Sequence, residues 1–231
     1  MSQKTLVNRK PFIDTDWLAN LMRIEKNSED HEKFMGYCRD ALDVACPKAT
    51  YRVSYIEEKQ EDRVLIDDTE FHCGLMTRNF KGIHRVFPFA ATCGREVYQW
   101  SKGVTDVYEQ YWAENIMEAI LRDMINQVYT DIRKYHGVDK ISSMNPGSLE
   151  GWPIEEQASL FSLIGDVREN TGIELTESYL MIPQKSVSGI LFPSDREYSN
   201  CKLCQRKNCP SRRNAFNGKL YEELVNNREV L

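Results

Sequence analysis

From Glu96 to Tyr135 the chain carries no proline and a single glycine, Gly103. Over that run Val104, Val107, Tyr108, Tyr111, Trp112, Ile116, Ala119, Ile120, Met124, Val128 and Ile132 recur at helical spacing. This pattern predicts one long helix, or two in series, whose apolar stripe must find a partner face. Everything else in the fold has to pack around that element.

Asp14-Thr15-Asp16 is suited to cap a helix with Trp17, Leu18, Leu21 and Met22 on one face, and a second helix follows with Phe34, Tyr37, Cys38 and Leu42. Three strands are expected beyond it. Tyr51, Val53 and Tyr55 alternate with polar residues, Val64 to Ile66 is a short apolar run, and His84 to Thr92 is rich in Val, Phe and Ala before Gly94. Met144 to Ser148 has the composition of a turn, Ile154 to Ile164 that of a helix stopped near Gly165, and Val187 to Phe192 that of a strand. Helices and strands that alternate irregularly argue for an α+β fold rather than a doubly wound sheet. The simplest organisation is a helical lead-in (1–48), a body (49–195), and a cysteine-rich, metal-binding tail with a C-terminal helix (196–231).

The 231 residues suffice for one large domain, and the formal charge of −5 is spread along the chain. That balance suggests neither a nucleic-acid footprint nor a polybasic membrane anchor. No apolar run approaches the roughly 20 residues that span a bilayer, and the first residues lack a secretory signal, so a cytoplasmic protein is expected. Walker, dinucleotide-binding and nucleophile-elbow motifs are absent. Glu155 and Glu156 are adjacent, point about 100° apart on a helix, and are expected to favour its positive N-terminus rather than to form an acid/base pair.

Seven cysteines is an odd number, and Cys201, Cys204 and Cys209 crowd together ahead of Pro210. Without an export signal this spacing points to metal rather than to disulfides. A Cys-x-x-Cys pair closes two thiolates on one ion at about 2.3 Å, and a tetrahedral site or iron–sulfur cluster asks for a fourth ligand. Cys93 is the first choice because it ends a predicted strand; Cys73, Cys46 and His72 are alternatives. The proline and the nearby Lys202, Arg206, Lys207, Arg212 and Arg213 suit the negative charge of an iron–sulfur cluster. Structural zinc and a metal-free tail are the other readings.

Gly172, Leu175, Thr176, Glu177, Ser178, Met181, Pro183, Ser186, Val187, Ser188 and Gly189 fall at the spacing G-x-x-L-T-E-S-x-x-M-x-P-x-x-S-V-S-G. This segment resembles the signature of the activation domain of cobalamin-dependent methionine synthase. Asn145-Pro146-Gly147, Trp152-Pro153, Gln157 and Leu160-Phe161 resemble the same family's P-G turn and following helix, so the likeness extends over roughly residues 84–192. It implies a C-shaped, helix-rich domain around a twisted antiparallel sheet. Such a domain caps a corrinoid cofactor and presents S-adenosylmethionine to an inactive cobalt centre. The implied ligand-facing residues are Thr176, Glu177 and Ser178, with Pro146, Gly147 and Ser148 of the turn.

The chain departs from the family at that turn: where the family has R-x-x-P-G-Y, Ser143 and Ser148 stand in place of the arginine and tyrosine. A serine cannot supply the arginine's two-donor fork, so S-adenosylmethionine is not expected to bind in the family's usual way. The resemblance therefore implies an activation-domain-like accessory protein of a corrinoid-dependent methyltransferase system, standing alone with a cysteine tail added. The chain lacks a corrinoid-binding D-x-H-x-x-G motif, which puts the corrinoid on a partner. An iron–sulfur cluster would suit delivery of a low-potential electron to its cobalt. A non-catalytic capping module with a zinc clip, and a retained S-adenosylmethionine-binding domain, are the alternatives.

Overall fold

The computed structural model describes residues 3–148, 151–194, 200–207 and 214–222. The proline-free run forms two helices: α4 (Arg95–Ser101) and α5 (Val107–His136), separated where Gly103 falls. Asp106 caps α5 by accepting hydrogen bonds from the amides of Tyr108 and Glu109, and Gly137 ends it in the left-handed conformation. At about 1.5 Å per residue its 30 residues span about 45 Å. Trp112, Ile116, Ile120, Met124, Val128 and Ile132 are buried along it as expected. Val107, Tyr108 and Tyr111 were read as part of that stripe, yet they are exposed, although Trp112 and Ala113 beside Tyr111 are buried.

The N-terminal helices also form as expected. Asp14 caps α1 (Thr15–Leu21) through the Trp17 amide, and Ser28 caps α2 (Glu29–Val44) through that of His31. Phe34, Cys38 and Ala41 of α2 are buried with α5 in one core, where Phe34 and Tyr37 both set ring edges against Trp112.

Among the described residues, all strands but two join one antiparallel sheet of eight members. At its centre is β6 (Arg85–Thr92), seven of whose eight residues are buried. One side of β6 pairs first with β2 (Lys48–Arg52) and then with β3 (Ser54–Lys59); the alternation read through Tyr51 to Tyr55 is thus interrupted at Val53. Beyond β2 lies β1 (Gln3–Val7), and beyond β3 lie β4 (Arg63–Ile66) and β5 (Thr69–His72). On the other side of β6 run β10 (Ser186–Pro193) and then β7 (Ile141–Met144). The short strands β1, β5 and β7 were not anticipated, since each has too few apolar residues to mark a period.

Alternation along the central strands divides the interior. Phe87, Phe89, Ala91 and Leu191 face the core built on α1, α2 and α5. Val86, Ala90, Ile190 and Phe192 face a second core. This is completed by α3 (Gly74–Asn79), α6 (Gln157–Ile164), α7 (Val167–Thr171) and the strands β4 and β5. A central strand buried on both faces reads as a continuous apolar run, which is why His84 to Thr92 was legible as a strand without alternation. The tail contributes α8 (Asn200–Leu203) and α9 (Gly218–Tyr221). Leu203 is buried in the second core, Leu220 and Tyr221 pack against it, and the Asn217 amide donates to the Lys202 carbonyl at 2.8 Å. Among the described residues no helix is long and apolar enough to cross a membrane.

Candidate functional site

The signature segment makes a hairpin and then the strand that carries it into the sheet. Strand β8 (Glu174–Leu175) pairs with β9 (Met181–Ile182), and the polar residues singled out in the sequence form the connecting turn. Thr176 holds this turn. Its amide donates to the Leu180 carbonyl at 2.8 Å, its carbonyl accepts from the Tyr179 amide at 3.0 Å, and its Oγ1 accepts from the Leu180 amide at 3.1 Å. Ser178 Oγ lies 3.1 Å from that same Oγ1. Thr176 and Ser178 are thus occupied in shaping the tip. Glu177 and Leu180 stand exposed beside them.

The base of the hairpin is tied to the body by Arg95, the first residue of α4. Its Nε donates to the Gly172 carbonyl at 2.7 Å and its guanidinium pairs with Glu174 at 2.5 Å, while Arg168 meets the same carboxylate at 3.1 Å. Sequence reading gave none of these three residues a role; nothing in their spacing marks the ion pairs.

The P-G turn sits directly against the end of the signature. Pro146 is buried, Gly147 and Ser148 are exposed, and the Gly147 amide donates to the Trp152 carbonyl at 2.8 Å. Asn145 Nδ2 donates to the Ser188 carbonyl at 2.7 Å. Gly189, next in β10, has the Met144 carbonyl oxygen 2.3 Å and Asn145 Nδ2 2.5 Å from where a Cβ would stand. Only glycine lets the turn approach the strand this closely. Ser143, at the family's arginine position, is half-buried in β7 opposite Leu191.

Gln157 completes the arrangement. Buried at the start of α6, it accepts from Ser188 Oγ at 2.8 Å and donates to the Tyr179 carbonyl at 3.3 Å. A relay of hydrogen bonds, Asn145 to Ser188, Ser188 to Gln157 and Gln157 to Tyr179, therefore links the segment that carries Pro146, Gly147 and Ser148 to the one that carries Thr176, Glu177 and Ser178. The clue to Gln157 was a long polar side chain opening a helix whose other residues are apolar or serine, Gln-Ala-Ser-Leu-Phe-Ser-Leu-Ile.

Glu156 differs from expectation. Instead of only facing the helix N-terminus, its carboxylate turns to β5. Its Oε1 accepts from the His72 amide at 3.5 Å and lies 3.8 Å from His72 Nδ1, while Oε2 is buried without a hydrogen-bond partner among the described residues. Burial raises its pKa above the ordinary carboxylate value.

Of the cysteines proposed as ligands, Cys209 lies outside the described residues. Cys201 and Cys204 are half-buried, on and just past α8, at the i, i+3 spacing that shares a helix face. Cys93 is fully buried in the first core, where burial pushes its thiol up to about 12 and its Sγ–H donates to the Gly94 carbonyl at 3.6 Å. Cys73, by contrast, lies in the same second core as Leu203. Among the described residues no group of three His, Cys, Asp or Glu side chains is placed to hold a metal ion.

The structure is an α+β domain with an antiparallel sheet inside and helices on both faces. Residues 103–213 match the family model of the vitamin B12 dependent methionine synthase activation domain, so the match starts later than the sequence resemblance suggested and runs on through the cysteine segment. Among solved structures, the MetH reactivation domain bound to AdoHcy superposes with a TM-score of 0.66 at 17% identity, over 87% of this chain and 81% of that one. At that identity the likeness is one of fold. No curated protein matches the chain.

Proposed function

We propose that this protein takes part in reactivating a cobalamin-dependent methyltransferase, docking on a corrinoid-bearing partner through the face formed by the P-G turn and the Thr176–Leu180 hairpin tip. The observation that carries this reading is the convergence of turn, hairpin and β10 at Asn145, Gln157, Ser188 and Gly189. It occurs within a fold shared with the MetH reactivation domain. That domain was solved with AdoHcy bound. Here the half-buried Ser143 and exposed Ser148 offer no guanidinium for a ligand carboxylate. S-Adenosyl ligands are accordingly expected to bind through the turn backbone and Glu177, and more weakly than an arginine fork would allow. Isothermal titration with S-adenosylhomocysteine, and anaerobic pull-down with a corrinoid protein, test the two halves of the proposal. Failure to retain any corrinoid protein would refute the docking reading.

The cysteine tail supplies the reductive part. Cys201, Cys204 and Cys209 are proposed to hold an iron–sulfur cluster whose electron supports return of cobalt to its active state. Cys93 was the first choice as fourth ligand, but its complete burial in the first core, while Leu203 is buried in the second, favours a ligand from elsewhere. A structural zinc site is the second reading, supported by the burial of Leu203 in the second core, which already pins the tail to the body, and by the contact of Asn217 with Lys202, which folds the tail on itself. Anaerobic purification with iron, sulfide and zinc analysis decides between them. A brown protein with matching iron and sulfide supports electron delivery, and a colourless protein with one zinc supports the clip. Substituting Cys201 or Cys204 by alanine is expected to abolish whichever metal is found.

A further inference from the structure

The turn and the hairpin with its following strand come from separate stretches of chain, and one amide from a third, in α6, ties hairpin to strand. Gln157 is 3% exposed. Its Oε1 is occupied by Ser188 Oγ and its Nε2 by the Tyr179 carbonyl, at 2.8 and 3.3 Å. Ser188 passes the connection on, since its own carbonyl accepts from Asn145 Nδ2 at 2.7 Å. The hairpin's anchor at its base, Arg95 on Gly172 and Glu174, lies at the opposite end from the tip. Tyr179 has a φ of 60°, a left-handed conformation that a tyrosine does not adopt without support. A side-chain donor aimed at the carbonyl of that same residue supplies it.

We propose that Gln157 is a positioning residue: by donating to the Tyr179 carbonyl and accepting from Ser188, it fixes the Thr176–Leu180 tip relative to the Asn145–Ser148 turn. The ligand face between them is competent only while that bridge is made. The inference rests on the reading that this face takes the S-adenosyl and corrinoid ligands, although the bridge itself is defined by contacts within the chain. Both functional groups of the amide are needed, because a buried donor or acceptor left without its partner is costly.

Replacing Gln157 by glutamate tests this with almost no change in shape. The ionised carboxylate still accepts from Ser188 but has no hydrogen for Tyr179, and sets two oxygens against each other. Once protonated, the carboxyl regains one donor for Tyr179 while its other oxygen still accepts from Ser188. Burial raises the pKa of such a group, so protonation falls in the mildly acid range. The primary readout is hydrogen exchange of the 174–182 amides without ligand, expressed as protection relative to intrinsic rates at each pH. At pH 8, Q157E is expected to lose about tenfold or more of the protection at the tip, and to regain it near pH 5, while wild type stays protected at both. Gln157→Met, which fills the space without either polar group, is expected to lose protection at both pH values. It serves also if Q157E does not fold at pH 8.

Affinity for S-adenosylhomocysteine, titrated in parallel, is expected to follow the same pattern: weak in Q157E at pH 8, recovered near pH 5, weak throughout in Q157M. If wild type binds no S-adenosylhomocysteine, the ligand reading fails, and the exchange data still decide the bridge. Tip protection in Q157M equal to wild type, or in Q157E equal at both pH values, overturns the proposal.

Discussion

Gly189→Ala adds one methyl group at the closest approach in the candidate site. Its Cβ would stand 2.3 Å from the Met144 carbonyl oxygen and 2.5 Å from Asn145 Nδ2, far inside ordinary contact. The end of β7 would have to retreat by about 1 Å, given that non-bonded heavy atoms settle near 3.5 Å. Overpacking of this kind costs about 1–3 kcal/mol. The retreat also pulls Asn145 off the Ser188 carbonyl, worth about 1 kcal/mol. The smaller unfolded-state entropy of alanine returns about 0.4–1 kcal/mol. The net loss is about 1–3.6 kcal/mol, or roughly 2–14 °C in Tm for a chain of this size. Gly36→Ala is the matched control. Gly36 lies inside α2, and its added Cβ would meet nothing nearer than Arg39 at 3.9 Å. The same chemical change should there stabilise by about 0.5–1 kcal/mol. Urea titration of both variants measures the contrast. A G189A protein as stable as wild type would refute the claim that glycine is required for turn and strand to meet.

Asp106→Ala removes the carboxylate that accepts from the Tyr108 and Glu109 amides and should cost about 1 kcal/mol by urea unfolding, a typical loss for a helix N-cap. His136 lies with Nε2 3.1 Å from Tyr51 Oη, and burial, aided by Arg85, holds its pKa below the ordinary imidazole value. The unfolded chain therefore takes up that proton first. Stability from this source is complete above about pH 6.5 and declines as pH falls through the lowered folded pKa, a slope that His136→Gln should remove in a pH series of Tm. Glu156 has the opposite sign. Its pKa is raised by burial, so its contribution is complete below the unfolded carboxylate value near 4.3 and is lost as pH rises through the folded one. Wild type should thus lose stability relative to Glu156→Gln between acid and neutral pH, and parallel curves would rule this out.

What could be read from the sequence follows from how strongly each element advertises its period. α2 and α5 were legible because a long apolar stripe cannot be produced by another structure at that length. β6 was legible as an apolar run, but the two cores it separates were not, since a strand buried on both faces does not say what covers either one. β1, β5 and β7 are four or five residues each and owe their place to pairing with partners far along the chain. The site divides in the same way. Thr176 to Ser178 and Pro146-Gly147 could be singled out as candidates because they stand in a recognisable spacing, whereas the hydrogen bonds that link their segments could not. Gln157, Ser188 and Asn145 meet only once α6, β10 and the end of β7 are folded together. Val107, Tyr108 and Tyr111 show the converse failure: helical spacing alone could not tell that they stay exposed while Trp112 and Ala113 beside them are buried.

The two cores bear differently on function. The first, with Trp112, Ile116 and Ile120 against Phe34 and Phe89, includes Cys93 but none of the turn and hairpin residues. The second gathers nearly every functional candidate: Ile173 leads into the hairpin, Trp152 and Leu160 flank Gln157, Ile190 follows Gly189, and Leu203 lies between Cys201 and Cys204. Hairpin, turn and cysteine tail are thus attached to one packed unit, and close-packed interiors transmit displacement rather than absorb it. A tail reorganised by metal would press on Leu203 and, through the second core that it shares with Ile190, on the strand that carries Ser188 and Gly189. The first core, separated from that unit by β6 and β10, can set the stability of the chain without setting the geometry of the site. Ile120→Ala should therefore lower stability by the about 2–5 kcal/mol of a buried isoleucine while leaving protection at the hairpin tip unchanged under native conditions. Leu203→Ala, at similar or smaller cost, should alter that protection.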